Sequence, residues 1–285
     1  MGSMLDMAPP GKVAAKPMSP PAPTDPGPVR TVAPARIDLA GGTLDIWPLY
    51  LLVPGAVTVN LAVSRLARAS VALRRDGRIR LRSRDTGDRV QQNLRDRVWD
   101  GDALPLLREI VEVFRPAVGF DLSTRSAVPP GSGLGGSSAL AVAVLRALSI
   151  ALEVPLSRDE ILPLARDVEA KVIGVPTGLQ DHFAAAYGGL SALHLRPGAP
   201  EREVVPGGAD PLTRRLLLVL VGASRLSART NWAMLRGAVD GDPEIRERFL
   251  EIAAAAREMR SALLGRDIDR AAAAMQREYR ARRGL

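Results

Sequence analysis

PPGSGLGGSSAL, residues 129–140, is the stretch of sequence that decides how this chain is interpreted. Glycines occupy positions 131, 133, 135 and 136, and glycine lets successive backbone N–H groups converge on one anion. An apolar, alanine-rich run follows at once and predicts a helix over 137–152. The N-terminus of that helix would direct its positive dipole end at the same anion, so the segment predicts a phosphate-binding site.

This loop is different from the two best-known nucleotide-binding motifs. It has no Gly-Lys-Ser or Gly-Lys-Thr run, and it is not the GxGxxG turn that follows a first Rossmann strand. A glycine-rich turn with serine caps is the structural alternative. Four glycines and two serines opening a long helix favour the phosphate site. Its candidate residues are Pro130, Gly131, Ser132, Gly133, Leu134, Gly135, Gly136, Ser137 and Ser138.

A second informative segment is GVPTGLQDHFAAAYGGL, residues 174–190. Asp181 lies in a predicted helix over 179–187, and Glu169 lies in the preceding predicted helix over 158–171. Phosphoryl transfer to an alcohol needs a carboxylate near the accepting hydroxyl and Mg²⁺ ligands near the phosphates. Two carboxylates on either side of a turn could divide these roles. Each also has a structural explanation, Asp181 as a helix N-terminal residue and Glu169 as a surface residue.

The third segment is ARIDLAGGTLDIWPLY, residues 35–50. A predicted strand over 35–40 ends at a Gly-Gly turn, and Arg36 and Asp45 flank that turn. A polyol could be held there. The alternative is a hairpin or bulge with an arginine that faces solvent.

Together the three segments resemble the GHMP kinases, named for the galactokinase, homoserine, mevalonate and phosphomevalonate kinases. The similarity runs from about Ala35 to Tyr187. PPGSGLGGSSA resembles the ATP loop of the family, and the Gln-Asp before an alanine-rich helix is most similar to the heptose-phosphate and sugar kinase branch. Galactokinases carry a Glu-His-Thr-Asp run near the first turn, which this chain lacks.

The resemblance implies a role for each matching residue, with ATP and Mg²⁺ as cofactors. Asp181 would be the catalytic carboxylate, and Arg36 would stabilise it or the transferring phosphoryl group. Ser137 and Glu169 would bind Mg²⁺. The implied substrate-binding residues are Gly41, Gly42, Thr43, Asp45, Thr177 and Gln180.

The expected fold is α+β with two subdomains. A proline-rich segment, 1–31, is expected to be disordered because it has too few large apolar side chains to form a core. Residues 32–190 would form the ATP-binding and catalytic subdomain, and 191–285 a helical C-terminal subdomain. The third glycine-rich motif of the family is missing here, so we expect the second subdomain to be incomplete.

Alternation and turn residues predict the individual strands. An Asp76-Gly77 turn predicts a hairpin between two of them. Beyond the strand already named, strands are predicted over 56–63, 69–74, 78–83, 119–125, 190–195 and 215–222.

Composition excludes several classes of protein. The 285 residues contain no cysteine and two histidines, which argues against disulfides, thiolate nucleophiles and histidine metal clusters. Net charge is +8, but the arginines are scattered and aromatic residues make up only 4%, so no nucleic-acid partner is expected. No apolar run is long enough to span a bilayer, so we expect no membrane partner and a cytoplasmic location.

We therefore predict an ATP-dependent kinase that phosphorylates a hydroxyl, the anomeric one by resemblance, of a sugar or sugar phosphate such as a heptose phosphate. Two alternatives stay open. One is a mevalonate-type kinase acting on an acyclic alcohol, and the other is a non-catalytic sensor that binds ATP and a sugar. The sequence leaves the oligomeric state undetermined.

Overall fold

The computed structural model describes residues 27–207, 209–219 and 227–285. The strands in these ranges are β1 Val29–Ala40, β2 Val57–Arg74, β3 Arg78–Ser83, β4 Arg89–Asn93, β5 Gly119–Ser126, β6 Leu190–His194 and β7 Glu201–Val204. The helices are α1 Leu49–Leu52, α2 Pro105–Phe114, α3 Gly136–Ala151, α4 Arg158–Ile173, α5 Gln180–Tyr187, α6 Ala209–Thr213, α7 Ser227–Asp240, α8 Pro243–Leu264 and α9 Ile268–Arg282.

The strands form one mixed sheet, and its organising element is β2. This strand is 18 residues long and pairs antiparallel with β1, with β5 at its C-terminal half and with β6 at its N-terminal half. The sheet order is β4-β3-β5-β2-β6-β7, with β1 pairing with β2 outside this path. The two strands predicted over 56–63 and 69–74 are therefore one continuous strand.

The predicted hairpin at Asp76-Gly77 is wrong. The chain does turn there, with Gly77 at a φ of +68°, but β2 and β3 are not neighbours because β5 lies between them. Strand β3 pairs in parallel with β5, placing Ile79 beside Phe120, and both of these side chains are fully buried. Burial of these side chains outweighed the local turn signal.

Helices cover the sheet at both ends of β2 and create two hydrophobic cores. The C-terminal half of β2, with Ala69 and Val71, packs with α3 in the larger core. The N-terminal half, with Val57 and Val59, packs with α8 and α9 in the second core. Since β1 runs along β2, it connects the two cores, and the turn after β1 meets both groups of helices.

The α+β class is confirmed, and most predicted elements are present. Strand β1 begins at Val29, so the predicted end of the disordered segment at residue 31 falls inside a strand. Residues 1–26 of that segment lie outside the described residues. The strand predicted over 215–222 is wrong for residues 215–219, which form no strand. Residues 220–222 lie outside the described residues.

The division into subdomains stays a prediction. Its boundary after residue 190 lies at the first residue of β6, which pairs with β2 in the common sheet. Within the described ranges, none of the helices combines the length and the apolar character needed to cross a membrane.

Candidate active site

The glycine-rich loop connects β5 to α3 and has the backbone that its composition predicts. Gly131, Gly133 and Gly135 adopt φ angles of +69°, +71° and +65°, a region that residues with a side chain rarely enter. Helix α3 begins at Gly136 without a side-chain cap. The first-turn N–H groups of an uncapped helix are free to bind an anion.

Two loop glycines are also required by close packing against neighbouring side chains. A Cβ on Gly135 would lie 3.0 Å from Oδ2 of Asp181, and one on Gly136 would lie 2.6 Å from Cγ2 of Val128. At Gly133 a Cβ would meet nothing within 4 Å. The loop therefore lies against Asp181 at Gly135, whereas a side chain at position 133 would have free space around it.

Arg36 and Asp181 form an ion pair that is tied to this loop. Nε of Arg36 donates to Oδ1 of Asp181 at 2.6 Å, and Nη2 lies 2.6 Å from the same oxygen. Nη1 of Arg36 donates to the carbonyl oxygen of Gly133 at 2.5 Å, and the Arg36 main-chain N–H donates to the carbonyl oxygen of Leu134 at 2.9 Å. Strand β1, the loop and α5 thus meet at one guanidinium group.

Burial and the neighbouring carboxylates have opposite effects on the pKa of Arg36. The side chains of Arg36 and Asp181 are 9% and 23% exposed. Burial by itself would lower the pKa of Arg36, but the carboxylates of Asp181 and Asp38 outweigh it and raise that pKa. Arg36 therefore remains a cation beside the glycine-rich loop.

A second cluster joins the start of α3 to α4. The hydroxyl of Ser138 donates to Oε2 of Glu169 at 2.7 Å, and the hydroxyl of Ser137 donates to Oε1. Burial would raise the pKa of Glu169, but His182 and the two serine hydroxyls lower it below its ordinary value. Glu169, which could have been a surface residue, is 7% exposed and is held as a carboxylate at the loop.

His182 was not predicted to belong to the site. It is fully buried, and its Nε2 lies 3.0 Å from Oε2 of Glu169. Neither ring nitrogen makes a well-aligned hydrogen bond within the described residues, so proximity rather than directed bonding links the two groups. Its place directly after Asp181 was the available signal in the sequence.

These residues fit ATP and Mg²⁺ by their donor chemistry. Free N–H groups suit phosphate oxygens, and the Ser137 hydroxyl with the Glu169 carboxylate offers the hard oxygen ligands that Mg²⁺ takes. No group of three or more His, Cys, Asp or Glu that could hold a metal occurs in the described part of the chain. A Mg²⁺ ion here would therefore share its coordination with phosphate oxygens and water.

The turn after β1 is fixed by α9, the last helix. Nη2 of Arg282 donates to the carbonyl oxygen of Gly42 at 2.9 Å, and Nη1 donates to the hydroxyl of Thr43 at 3.0 Å. A Cβ on Gly41 would lie 2.2 Å from the carbonyl oxygen of Val57, so only glycine fits there. Arg282 was missed from the sequence because it lies about 240 residues from the turn it holds.

Asp45 connects this turn to the segment that carries Asp181. Its Oδ2 accepts a hydrogen bond from the Gln180 main-chain N–H at 2.8 Å. A Cβ on Gly178 would lie 1.9 Å from the same oxygen, so the close approach depends on that glycine. Burial raises the pKa of Asp45 from 3.8 to about 6. Thr177 lines a cleft together with Asp45.

Two buried oxygens beside the Gly-Gly turn have no hydrogen-bond donor among the described residues. They are Oδ1 of Asp38 and Oε1 of Gln180. A Cβ on Gly42 would lie 1.8 Å from Oδ2 of Asp38 and 3.1 Å from Nε2 of Gln180, which places both side chains at this turn. Burial also raises the pKa of Asp38. Buried acceptors without donors are what a ligand with several hydroxyls would satisfy; Asp38 was not predicted.

The raised pKa of Asp45 gives a stability prediction. Below about pH 4 the carboxyl is protonated in both states. Between pH 4 and 6 the folded protein binds more protons than the unfolded chain, so stability falls as pH rises. Asp45→Asn removes this cost and can still accept the bond from Gln180, so at pH 7.5 its free energy of unfolding should be higher by on the order of 3 kcal/mol.

Urea denaturation at pH 4 and pH 7.5 measures this difference. The gain should vanish at pH 4, and Asp102→Asn, at a fully exposed carboxylate, should change nothing at either pH. Equal stabilities of the parent and Asp45→Asn at pH 7.5 would show that Asp45 ionises without cost.

Part of the chain matches a known family of proteins. Residues 103–189, which contain the loop, Glu169 and Asp181, match the family described as the GHMP kinases N terminal domain. The chain is 33% identical over 172 residues to a D-glycero-alpha-D-manno-heptose 7-phosphate kinase of Campylobacter jejuni, covering 59% of this chain and 50% of that protein. It is 37% identical over 136 residues to a mevalonate kinase of Pyrococcus horikoshii, covering 47% and 37%.

The fold is similar to that of a solved kinase. The crystal structure of a D-glycero-D-manno-heptose 1-phosphate kinase from Bacteroides thetaiotaomicron aligns with a TM-score of 0.67 at 23% identity, covering 90% of this chain and 79% of that one. The likeness shows the fold. The chain spans half the length of the curated heptose-phosphate kinase and less of the mevalonate kinase.

Proposed function

The chain carries a GHMP kinase N-terminal domain, and from that premise we propose that it is an ATP-dependent kinase acting on a sugar or sugar phosphate. The γ-phosphoryl group would be transferred to a hydroxyl of the acceptor. The anomeric hydroxyl is the preferred candidate, and a heptose phosphate is the preferred acceptor. The observation that carries the proposal is the Arg36–Asp181 pair, joined to the glycine-rich loop through the carbonyl oxygen of Gly133. This pair brings a carboxylate to the edge of a phosphate site.

The donor half of the reaction lies at the loop and the start of α3. ATP, with Mg²⁺, supplies the phosphoryl group when it is bound. Backbone N–H groups over 131–138, other than that of Ser132, which donates to the carbonyl oxygen of Pro129, would hold its phosphates, and Ser137 with Glu169 would hold the metal. Glu169 is prepared for this role because its lowered pKa keeps it ionised at neutral pH. The hydroxyl of Ser138 keeps its carboxylate in place, and the buried His182 ring lies beside it.

Asp181 is the residue that would act directly on the acceptor hydroxyl. A sugar hydroxyl is a poor nucleophile at neutral pH, so a carboxylate that orients it and accepts its proton speeds the transfer. Arg36 holds Asp181 by two close contacts to Oδ1 and leaves Oδ2, the oxygen nearer Gly135, facing the loop. The same guanidinium places a positive charge beside the position where negative charge would develop.

The acceptor half is supported by the acceptor oxygens around the Gly-Gly turn. Asp38, Asp45 and Gln180 bring buried oxygens to one place. A ring with several adjacent hydroxyls could donate to all of them, whereas mevalonate has fewer donors. This favours the sugar acceptor over the acyclic one.

A coupled assay of ATP consumption tests the proposal. D-glycero-D-manno-heptose 7-phosphate, the free heptose, D-mannose, D-galactose and mevalonate are each supplied at millimolar concentration, with Mg²⁺ and with EDTA. We expect Mg²⁺-dependent consumption with at least one cyclic sugar. Consumption with mevalonate and none with the sugars would reverse the choice of acceptor, and ATP binding without consumption across the panel would favour a sensor.

A further inference from the structure

A cleft of about 780 Å³ opens directly beside Asp45. One wall is the segment after β1, the second is α4 with the connection to α5, and the third is the loop between β6 and β7. The lining includes the side chains of Asp45, Trp47, Arg166, Lys171 and Thr177. Because Asp45 bonds to the main chain of the residue before Asp181, this cleft, called here the acceptor cleft, adjoins the catalytic pair.

Trp47 lines the acceptor cleft, and its side chain is unusually exposed. It is 63% accessible, although tryptophan buries most of its surface in most proteins. The neighbouring Ile46 is 4% exposed and Leu49 is fully buried, so the segment is anchored on both sides. An anchored segment presents the indole in one place, which lowers the entropy cost of binding a ligand against it.

The charges around the acceptor cleft neutralise one another. Arg166 pairs with Asp167 at 2.7 Å, and Lys171 pairs with Glu109 at 2.5 Å. Each of these two cations therefore already has a carboxylate partner. For recognition the cleft lining also offers the indole of Trp47 and the carboxylate and hydroxyl oxygens of Asp45 and Thr177.

A cyclic sugar presents the matching pair of surfaces. Its hydroxyl rim donates hydrogen bonds, while the C–H groups on one face of the ring form an apolar patch that an aromatic ring can cover. An open-chain acceptor has no such flat face. We propose that Trp47 is a specificity-determining residue whose indole stacks on the ring of the acceptor, so that the acceptor cleft selects cyclic sugars over acyclic alcohols. This inference rests on the proposed sugar kinase function.

The fluorescence of Trp47 tests the contact without any turnover. The chain has three tryptophans, and replacing Trp99 and Trp232 by phenylalanine leaves Trp47 as the sole indole. We expect its emission to shift to the blue and to saturate on titration with D-glycero-D-manno-heptose 7-phosphate or D-mannose, and to stay constant with mevalonate. No change with either cyclic sugar, or an equal change with mevalonate, would overturn the inference.

Kinetics separate stacking from a general structural role. Trp47→Ala should raise KM for the sugar by about tenfold or more, a loss of about 1.4 kcal/mol, with kcat changed less than about threefold. Trp47→Phe should recover most of the affinity because an aromatic face is restored. Trp232→Ala, at an equally exposed indole on α7 (53%), is the matched control and should change neither constant. A Trp47→Ala protein with unchanged KM would contradict the role.

The fluorescence and turnover experiments test the stacking proposal and the kinase proposal separately. An emission change without ATP consumption would uphold the acceptor cleft and refute the kinase. Turnover of a sugar without an emission change would uphold the kinase and refute stacking on Trp47.

Discussion

Asp181→Asn is expected to lower kcat by about 10²–10⁴, the usual contribution of a general base. The amide is nearly the same size as the carboxylate and can still accept a hydrogen bond from Arg36, but it cannot take the proton of the acceptor hydroxyl. ATP affinity should stay close to that of the parent, and some thermal stability should be lost because the buried Arg36 loses its charged partner. Steady-state kinetics, an ATP titration and a melting curve on this one variant measure all three.

The alternative for Asp181 is that it only stabilises the start of α5. Asp269 lies in the first turn of α9 and is almost fully exposed, so Asp269→Asn is the matched control for that role. It should lose at most about 1 kcal/mol of stability and no activity. An Asp181→Asn protein that behaves like Asp269→Asn, less stable but active, would show that Asp181 is a structural residue.

Gly133→Val is expected to abolish measurable ATP binding while the protein stays folded. A Cβ at this position meets nothing within 4 Å, so the side chain has room, but its φ of +71° is strained for a β-branched residue. Relief of that strain would turn the loop and move the N–H groups that are proposed to bind phosphate. The carbonyl oxygen that accepts from Arg36 would move with them.

Gly77→Val controls for the strain itself. Gly77 has a φ of +68° and likewise meets nothing within 4 Å, but it lies in the turn between β2 and β3. Both variants should lose a similar 1–3 kcal/mol or so of stability, and isothermal titration should show lost ATP binding only for Gly133→Val. Gly135 is a poorer choice because its Cβ would also press on Asp181. Unchanged ATP affinity in folded Gly133→Val would remove the loop from the nucleotide site.

Local chemistry predicted much of the fold and of the site. The glycine loop and the helix after it were predicted from one short segment, because each depends on residues close together in sequence. Arg36 and Asp181, which are 145 residues apart, were paired only through the family resemblance, and the structure brings them into contact.

Contacts between residues far apart in sequence determine the strand order and the packing of α9, which local sequence patterns do not predict. The Asp76-Gly77 turn is a turn, yet insertion of β5 prevents the hairpin. Helix α9 packs on α8, with Ala271 and Ala274 in the second core, and it brings Arg282 to the Gly-Gly turn. Its buried residues are Ala271, Ala274, Glu278 and Ala281.

Helix α9 contributes Arg282 to the site. Nε of Arg282 donates to Oε1 of Glu278 at 2.8 Å, and its other nitrogens reach Gly42 and Thr43. Burial would lower the pKa of Arg282, but Glu278, Asp38 and Asp45 raise it. The Glu278–Arg282 pair has ordinary i,i+4 helical spacing, but no pattern within α9 indicates Gly42 and Thr43, which lie about 240 residues earlier in the chain.

Phosphorus NMR of a reaction mixture measures the central claim most directly, because it observes the transferred phosphoryl group itself. The parent and Asp181→Asn proteins are each incubated with ATP, Mg²⁺ and D-glycero-D-manno-heptose 7-phosphate. The parent should convert ATP to ADP and produce a new phosphate ester split by the anomeric proton, and Asp181→Asn should produce almost none in the same time. ADP and inorganic phosphate without a new ester, or equal ester from both proteins, would contradict sugar phosphorylation at Asp181.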